Sequence, residues 1–519
     1  MGLIHASEKK TLKAIDELVN CNPFQRRRIE LEKQLLDEDF HAEAPVWSWS
    51  ADGPEERPNI QRLTDLLGGL VDRLHRRLVE GASASDSERE IYAELVLFYL
   101  YHKYRPDFSD LILRFAEKRP GPKRVGFWDG FAEDWKRYLC LGDSQPFPVQ
   151  DAAHIFAGLF QVRRAFYYIF RYIVGTSEPT TRLRSAIWES IFTHDFRRYR
   201  KSLYRCMTDI TTLVTGPSGT GKELVARAVG HSRYIPFDPE AAVFVEDFAE
   251  SFHPLNLSAM SPTLIESELF GHKRGAFTGA STDRAGWLET CTPLGTVFLD
   301  EIGEIDAKVQ VKLLRVIQTR SFSRLGESSE RAFEGKLIAA TNRDLGAEMK
   351  AGRFREDFYY RLCSDMIRTP SLHEQIADSP NELRRLIEFI VQRVVGEESQ
   401  SLCDETEAWI DDHLGRDYPW PGNIRELEQC VRNVMIRKQY HPPTHTRGAV
   451  SSGPRTALGH DVARGGLSVE QLLNRYCTLV VAETGSYVEA ARRLGIDRRT
   501  VKSRVDDELL EQFQAEGSS

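Results

Sequence analysis

The chain has 519 residues, of which 41% are hydrophobic and 28% are charged, a composition typical of soluble globular proteins with several domains. It excludes collagen-like, disulfide-framework and wholly disordered proteins. Lys and Arg number 69 against 77 Asp and Glu, giving a formal net charge of -8. The chain as a whole therefore has no basic field for nucleic acid or membrane, and any DNA contact must be local.

Several features favour a cytoplasmic protein. The eight cysteines are scattered and form no CxxC pair, which suits a reducing compartment and argues against a zinc or dithiol site. The stretch after Met1 is polar and lacks the apolar core of a secretory signal. The most lipophilic stretch, residues 155–174, carries Arg163, Arg164 and Arg171, and each would cost about 2.5 to 3.5 kcal/mol at a membrane centre. We expect this stretch to be a buried helix and the protein to have no membrane role.

The pattern of residues 1–185 predicts mostly helix, with aromatic-rich apolar segments at 95–101 and 166–172. Short buried strands do not alternate with helices here, so the region does not match a phospho-receiver domain, and we do not expect Asp phosphorylation to be its trigger. Aromatic residues at helical spacing favour a packed core, although they could also line a ligand pocket. We expect a mainly helical regulatory or sensor domain whose ligand is unknown, and repression or support of the remaining chain both stay open.

An α/β domain is predicted to follow. Residues 210–215 form a short β-prone run, then come a glycine-rich loop and a helical pattern over 222–229, and strand, loop and helix in that order open such a domain. Further apolar runs at 296–299 and 336–341 predict a parallel sheet with crossover helices.

The glycine-rich loop and the ends of the apolar runs carry the chemistry. Glu223 stands where the general phosphate-loop motif has a Ser or Thr ligand for magnesium, so the metal must depend on other groups. Asp300 and Glu301 end the second run and suit ATP hydrolysis, with Asp300 holding magnesium through water and Glu301 as general base. Asn342 follows the third run and could orient the lytic water. In the loop itself, backbone N–H groups and a lysine would hold the triphosphate; its residues are Gly216, Pro217, Ser218, Gly219, Thr220, Gly221 and Lys222.

A longer signature lies between these runs. Residues 266–280 read ESELFGHKRGAFTGA and resemble the sigma-54-dependent activators, the bacterial enhancer-binding AAA+ ATPases. In this segment, small residues flank one aromatic and one hydroxyl side chain, which suits a mobile loop that presents Phe277 and Thr278 to a partner. The resemblance also explains Glu223, because the phosphate loop of this family usually reads GKE. The most specific part is the hexapeptide GAFTGA, which consists of Gly275, Ala276, Phe277, Thr278, Gly279 and Ala280.

The resemblance assigns further roles by matched motif. Asn256 resembles the switch asparagine that restrains Glu301, and Asn342 resembles the first sensor. Arg355 and Arg361 lie in the segment GRFREDFYYRL and match the arginine fingers that enter a neighbour's ATP site. A guanidinium delivered in trans would make hydrolysis depend on assembly.

The lid is less regular. Arg425 lies in the motif WPGNIREL and resembles the second sensor, which touches nucleotide phosphate. Residues 231–254 are longer than the corresponding stretch of the family, and residues 369–375 lack its usual arginines at the start of the lid. Lid coupling and effector response therefore stay open.

The tail, residues 487–505, has the pattern of a helix-turn-helix. Gly495 supplies the turn and Asp497 can cap the next helix. Six basic residues and one acidic residue lie between 492 and 504, which places a basic face where phosphate contacts are needed. A solvated basic helix is the alternative, but the segment resembles the Fis-type DNA-binding ends of the same family. The residues expected to face DNA are Arg498, Arg499, Thr500, Lys502 and Arg504.

Five segments are predicted from these patterns. The α/β AAA+ P-loop core, a parallel sheet with flanking helices, covers 186–370 and its helical lid covers 371–440. The mainly helical domain, 1–185, precedes this core, and an all-α helix-turn-helix domain, 467–519, follows it. Between lid and tail, residues 441–466 are rich in Gly, Pro, Ser and Thr, which indicates a linker.

The resemblance implies an ATPase that uses Mg²⁺ and assembles as a homo-oligomer, from a dimer to a hexameric ring. It implies binding to enhancer DNA and remodelling of the sigma-54 RNA polymerase holoenzyme from the closed to the open promoter complex. One alternative is an ATP-switched DNA-binding repressor that acts independently of sigma-54, against which the intact GAFTGA loop argues. Another is an AAA+ remodeller of an unrelated protein, with the tail as a tether.

Overall fold

A computed structural model describes residues 2–41, 58–116, 124–140, 147, 150–246, 251–396, 399–442, 458, 462, 467–506, 509–510 and 513. The chain divides into two compact units, Met1–Gln439 and Tyr440–Ser519. Most of the predicted linker, 441–466, lies outside the described residues. No helix in the described ranges is long and apolar enough to cross a membrane.

The first part of the larger unit is helical, as predicted. The lipophilic stretch forms a buried helix that begins after Asp151, whose side chain accepts a hydrogen bond from the backbone N–H of His154 and so caps the helix. The helices are α1 (Lys9–Asn20), α2 (Arg26–Leu36), α3 (Pro58–Val79), α4 (Asp86–Lys103), α5 (Arg105–Ala116), α6 (Trp128–Leu139), α7 (Ala152–Tyr172), α8 (Glu178–Phe192) and α9 (Phe196–Lys201).

The predicted parallel sheet follows and is confirmed. Five strands lie in the order β4-β5-β8-β1-β9 and all neighbouring pairs are parallel. Short pairs β2-β3 and β6-β7 are antiparallel hairpins. The strands are β1 (Thr212–Thr215), β2 (Phe237–Asp238), β3 (Val243–Phe244), β4 (Phe252–Asn256), β5 (Thr296–Asp300), β6 (Ser321–Phe322), β7 (Arg331–Ala332), β8 (Lys336–Thr341) and β9 (Asp365–Arg368).

Helices flank the sheet, and others follow it in the predicted lid. Those between the strands are α10 (Lys222–Gly230), α11 (Pro262–Phe270), α12 (Trp287–Thr290), α13 (Ala307–Thr319), α14 (Leu345–Lys350) and α15 (Glu356–Leu362). The lid helices are α16 (Leu372–Asp378), α17 (Glu382–Val395), α18 (Ser399–His413) and α19 (Asn423–Arg437).

The sheet is buried on both faces. Alternate residues of a strand point to opposite sides, so Val214 and Phe298 join the hydrophobic cluster of the N-terminal helices, whereas Leu213 and Val297 join a second cluster with α11, α13 and α15. One continuous core therefore links α1–α9 to the sheet, and α7 and α8 pack directly on α10.

The smaller unit contains the predicted helix-turn-helix. Its helices are α20 (Val469–Thr484), α21 (Tyr487–Leu494) and α22 (Arg498–Arg504), packed around Val480, Ala490 and Val501. Gly495 has φ +68°, the left-handed conformation that ends a helix most easily with glycine. Asp497 caps α22 by accepting hydrogen bonds from the backbone N–H groups of Arg499 and Thr500 at 2.8 and 3.0 Å.

Candidate functional site

The phosphate loop joins β1 to α10 in a conformation that only glycine fits. Gly216, Gly219 and Gly221 have φ values of +145°, +77° and +86°. A Cβ on Gly216 would clash with Thr369 at the end of β9, and one on Gly219 would clash with the carbonyl oxygen of Gly422 in the lid. The loop backbone is thus held between the sheet edge and the lid.

Lys222 is held within this loop. Its side chain is only 7% exposed, and its Nζ donates hydrogen bonds to the carbonyl oxygens of Gly216 and Pro217, both at 3.1 Å. Burial lowers the pKa of Lys222, an effect opposed by the nearby carboxylates of Glu301 and Asp300. The lysine and both carboxylates, which lie far apart in the chain, therefore share one electrostatic environment.

The carboxylates stand at the end of β5. Asp300 accepts a hydrogen bond from the backbone N–H of Glu301 at 3.0 Å, and burial together with the Glu301 charge raises the pKa of Asp300. Glu301 has φ +57° and ψ +49°, a left-handed conformation that is costly for a residue with a side chain. Its Oε2 lies 3.4 Å from the backbone nitrogen of Asn342, which directly follows β8.

Asn256 lies beside this pair. It is in register with Asp300 across β4 and β5. Its side-chain oxygen accepts hydrogen bonds from the backbone N–H and hydroxyl of Ser258 at 3.0 and 2.8 Å, and none of the described hydrogen bonds joins it to Glu301. The restraint of Glu301 by Asn256 stays a prediction.

The lid contacts the phosphate loop through three consecutive residues at the start of α19. Asn423 donates to the carbonyl oxygen of Ser218 at 2.9 Å, and the backbone N–H of Ile424 donates to that of Gly219 at 3.1 Å. The guanidinium of Arg425 lies 3.3 Å from the hydroxyl of Ser218. The structure thus places Arg425 at the loop, and it reveals a contact by Asn423 that sequence reasoning missed.

The two predicted arginine fingers lie on the surface around α15. Arg355 precedes this helix and its guanidinium pairs with Asp357 at 2.7 Å, while Arg361 is exposed near the end of the helix. The described contacts bring neither of them to the phosphate loop of their own chain. Gln310, a buried residue of α13, accepts a hydrogen bond from the backbone N–H of Arg355 at 2.8 Å and donates to the carbonyl oxygen of Arg353 at 2.9 Å; sequence reasoning missed it too.

The GAFTGA segment forms a hairpin tip. Its base is a pair of reciprocal backbone hydrogen bonds between His272 and Arg284, both 2.9 Å, and its tip is closed by the bond from Gly275 N–H to Ala280 O at 2.8 Å. The Phe277 ring packs edge-on against His272, with ring centroids 5.0 Å apart. Phe277 is half-buried, whereas Thr278 is exposed, as are Gly275 and Gly279.

A second loop supports this hairpin. It joins β6 to β7, and its Leu325 exchanges backbone hydrogen bonds with Gly271 and Lys273 at 2.9 and 3.0 Å. Arg324 of the same loop pairs with Glu289 on α12 at 2.6 Å. The base of the hairpin is therefore anchored from both sides while its tip projects.

The predicted DNA-facing residues lie on α22. Arg498, Arg499 and Lys502 are exposed, and Thr500 and Arg504 are half-buried. Thr500 donates its hydroxyl to Asp497, and Arg504 donates to the side-chain oxygen of Asn474 at 3.1 Å. The exposed charges of this helix are thus Arg498, Arg499 and Lys502, and the other two also take part in local contacts.

The sequence matches one family over the α/β core: residues 193–368 correspond to the Sigma-54 interaction domain. The chain contains a sigma-54 interaction domain. This domain includes the phosphate loop, both carboxylates, the GAFTGA hairpin and the two exposed arginines, whereas Arg425 and α22 lie beyond it. The match confirms the resemblance to the sigma-54-dependent activators.

Relatives share the same part of the chain. The Nif-specific regulatory protein of Azotobacter vinelandii is 39% identical over 301 residues, covering 57% of this chain and 53% of the relative. The transcriptional regulatory protein ZraR of Escherichia coli strain K12 is 38% identical over 307 residues, covering 57% and 63%. The matched chain thus spans between half and two thirds of these relatives' lengths. The crystal structure of NtrX from Brucella abortus in complex with ADP has 22% sequence identity and a TM-score of 0.39, covering 73% of this chain and 80% of that one.

Proposed function

We propose that this protein is an ATP-dependent activator of transcription by sigma-54 RNA polymerase. The observation that carries the proposal is that the region matching the sigma-54 interaction domain contains both the group Lys222, Asp300 and Glu301 and the GAFTGA hairpin. The lysine and the two carboxylates would hydrolyse ATP, and the hairpin would contact the polymerase.

ATP would bind at the phosphate loop. Consecutive backbone N–H groups and the start of α10 form an anion site, and Lys222 would exchange its bonds to loop carbonyls for bonds to phosphate. In the described residues no group of three His, Cys, Asp or Glu side chains is placed to hold a metal by itself. Mg²⁺ keeps several waters and phosphate oxygens when it is bound with a nucleotide, and it needs few protein carboxylates. Asp300 would hold it through water, and bound magnesium would neutralise charge on the phosphates.

Glu301 would act as the general base. Its left-handed backbone and its contact with the Asn342 N–H fix the carboxylate at the shared edge of β5 and β8, where an attacking water would lie. Arg355 and Arg361 are exposed on their own subunit, so they would complete the site of a neighbour. Hydrolysis would therefore require a ring of subunits.

The ATP site is connected to the hairpin through a single helix. Asn256, beside Asp300, ends β4, and α11 then runs from Pro262 to Phe270 directly into the hairpin base. Lys312 on α13 pairs with Glu266 of α11 at 2.9 Å. A rearrangement at the carboxylates on hydrolysis would thus move α11 and the GAFTGA tip against sigma-54, while α22 holds the assembly on enhancer DNA by its basic face.

The proposal is tested with Glu301→Gln, which keeps the side-chain shape and removes the base. We expect ATP affinity within about threefold of the wild type and loss of hydrolysis by 10² or more. We also expect ATP-dependent retention of the variant by purified sigma-54. The matched control is Glu304→Gln, which removes a carboxylate that pairs with Arg343 at 2.6 Å. Substantial turnover by the Glu301 variant would remove Glu301 from its role, and hydrolysis by the wild type without sigma-54 binding would favour the repressor or remodeller.

A further inference from the structure

Helix α11 and the GAFTGA hairpin are joined by side chains as well as by the backbone. Ser267, on the inner face of α11, is 2% exposed, and His272, at the base of the hairpin, is 7% exposed. The Ser267 hydroxyl is hydrogen-bonded to Nδ1 of His272 at 2.8 Å. The His272 ring in turn packs against the ring of Phe277, with an interplanar angle of 70°. Three side chains spaced five residues apart therefore form a line from the helix to the hairpin tip.

The backbone holds His272 close to the end of α11. His272 exchanges two backbone hydrogen bonds with Arg284. The turn before it is tight, because a Cβ on Gly271 would lie 2.5 Å from the carbonyl oxygen of Arg284. Gly271 has φ +76°, which glycine adopts at little cost. The imidazole is thus fixed by its own backbone on one side and by the Ser267 hydroxyl on the other.

The ends of the hexapeptide are less constrained than its base. Gly275 and Gly279 have φ values of +84° and +103°, and a Cβ on either would meet no atom of the described residues within 4 Å. A contact with the β6–β7 loop lies at Ala276, whose Cβ would be 3.0 Å from a Cβ on Gly326. Glycines at both ends allow the tip to turn, so the contacts of the side chains between them set its direction.

Helix α11 is packed firmly enough to move as one body. Ile265 and Leu269, which lie on either side of Ser267 in the sequence, are 3% and 0% exposed. They belong to the same hydrophobic cluster as Val309 and Leu313 of α13. Because packed interiors resist small deformations, a displacement that begins at the end of β4 would carry the Ser267 hydroxyl with the helix.

We propose that Ser267 and His272 are positioning residues that set the orientation of Phe277 and, through it, of the tip that meets sigma-54. This inference rests on the proposed function and adds the side chains that carry movement from α11 to the tip. The hydrogen bond makes the imidazole follow the helix. Aromatic pairs have preferred edge-to-face geometries, so a change in the orientation of the imidazole favours a change in the orientation of the Phe277 ring.

The test compares two rates for each variant: steady-state ATP hydrolysis, and open-complex formation by sigma-54 RNA polymerase on a supercoiled promoter. Ser267→Ala should lower the rate of opening about fivefold or more, the factor expected for one net hydrogen bond. It should leave kcat for hydrolysis within about twofold, because none of the described hydrogen bonds joins Ser267 to the ATP site. The matched control is Ser261→Ala, an exposed serine at the start of α11 whose side chain makes no capping hydrogen bond; both of its rates should be unchanged. Opening by folded Ser267→Ala at the wild-type rate would overturn the proposal.

His272→Phe distinguishes the hydrogen bond from simple packing. This variant keeps a ring beside Phe277 but loses the bond to Ser267, so its rate of opening should fall as far as that of Ser267→Ala, again with hydrolysis retained. Combining the two changes should cause no further loss, since each removes the same interaction. Wild-type opening by folded His272→Phe, or additive losses in the double variant, would overturn the proposal. Thermal midpoints identify the folded variants, and either single variant decides the question if the other does not fold.

A failure of the proposed function would give a different result. If the wild type and Ser261→Ala form no open complex, the activator proposal fails and this inference falls with it. If both open the promoter and the Ser267 and His272 variants open it equally fast, the positioning role alone is wrong.

Discussion

The side-chain amide of Asn423 donates to the carbonyl oxygen of Ser218 at 2.9 Å, and its oxygen accepts from the backbone N–H of Leu372 at 2.8 Å. One buried side chain, 3% exposed, therefore joins the phosphate loop, the start of the lid and the first turn of α19. Because the loop backbone must keep its positive-φ glycine conformation to bind phosphate, we infer that nucleotide affinity and lid position are linked through Asn423.

Removal of this side chain should weaken ATP binding. We expect Asn423→Gly to raise the Kd for ATP about tenfold, because the carbonyl of Ser218 is released from the lid and the buried N–H of Leu372 loses its partner, at a cost of about 1 to 3 kcal/mol. Glycine is the informative change, since residue 423 has φ +52° and alanine would add backbone strain. Titration of a fluorescent ATP analogue measures the effect. Asn433→Gly, later in the same helix, is the control, and equal affinities of the two variants would contradict the linkage.

A second prediction concerns Gln310, which is fully buried and holds the backbone on both sides of Phe354 through Arg353 and Arg355. Gln310→Ala should misplace Arg355 and lower kcat for ATP hydrolysis by about tenfold or more, because misplacement of a catalytic group by about 1 Å can cost 10². ATP affinity should be unchanged, since Gln310 does not contact the phosphate loop. Gln318→Ala on the exposed side of α13 is the control.

The split between kcat and affinity distinguishes positioning from general damage. A folded Gln310 variant with wild-type kcat would show that Arg355 needs no such support. If Arg355 acts across the subunit boundary, mixing Gln310→Ala subunits with Glu301→Gln subunits should restore part of the activity, because each supplies what the other lacks. Steady-state ATPase assays of mixed and unmixed proteins measure this.

A third prediction concerns the junction between the N-terminal helices and the lid. Glu382 of α17 has no exposed surface, and its carboxylate accepts from the backbone N–H of Thr176 at 2.8 Å and from the hydroxyl of Ser177 at 3.1 Å. Glu382→Gln should lower the stability of the larger unit by about 1 to 3 kcal/mol, since an amide N–H₂ would then face donors. Denaturant unfolding measures the loss, and Glu388→Gln on the same helix should change it little. Equal stabilities would contradict the role of this junction.

A fourth prediction concerns His102, whose protonation should make the stability of the protein depend on pH. Its pKa in the folded protein is about 3, against an ordinary value of 6.5, so the unfolded chain binds a proton that the folded chain rejects between these pH values. The free energy of unfolding should therefore decrease as the pH falls from 6.5 toward 3. His102 contributes at most about 1.4 kcal/mol per pH unit to this decrease. His102→Gln should flatten the profile of thermal midpoints between pH 5 and 7.5, unlike the surface change His413→Gln. If His102→Gln left the pH dependence of the thermal midpoint unchanged, the lowered pKa of His102 would be contradicted.

Much of the site was predictable because its polar residues come directly after β-strands in the sequence. Asp300 and Asn342 come directly after β-prone runs, and parallel strands bring their carboxyl ends to one edge of a sheet. Asn423 and Gln310 were not predictable, since a buried amide carries no local pattern and its partners lie in distant segments. Their contacts become visible only when the lid and α13 are packed.

The aromatic residues of the N-terminal helices show a different limit of sequence reasoning. Their helical spacing favours a core, and the structure has such a core, with Phe156 and Phe160 fully buried. The same spacing also places Phe166 and Trp188 on the wall of a cavity between these helices. Periodicity reports which face of a helix is apolar, but it does not report whether the facing helices close the space between them.

The central claim is tested most directly by open-complex formation with purified sigma-54 RNA polymerase on a supercoiled promoter carrying the binding site. The account predicts opening by the wild type and by Ser281→Ala, a change just outside the hexapeptide. It predicts no opening by Lys222→Ala, which should lack ATPase activity, or by Thr278→Ala, which should retain it. Opening by Thr278→Ala at the wild-type rate, or ATP hydrolysis by the wild type without any opening, would contradict the account.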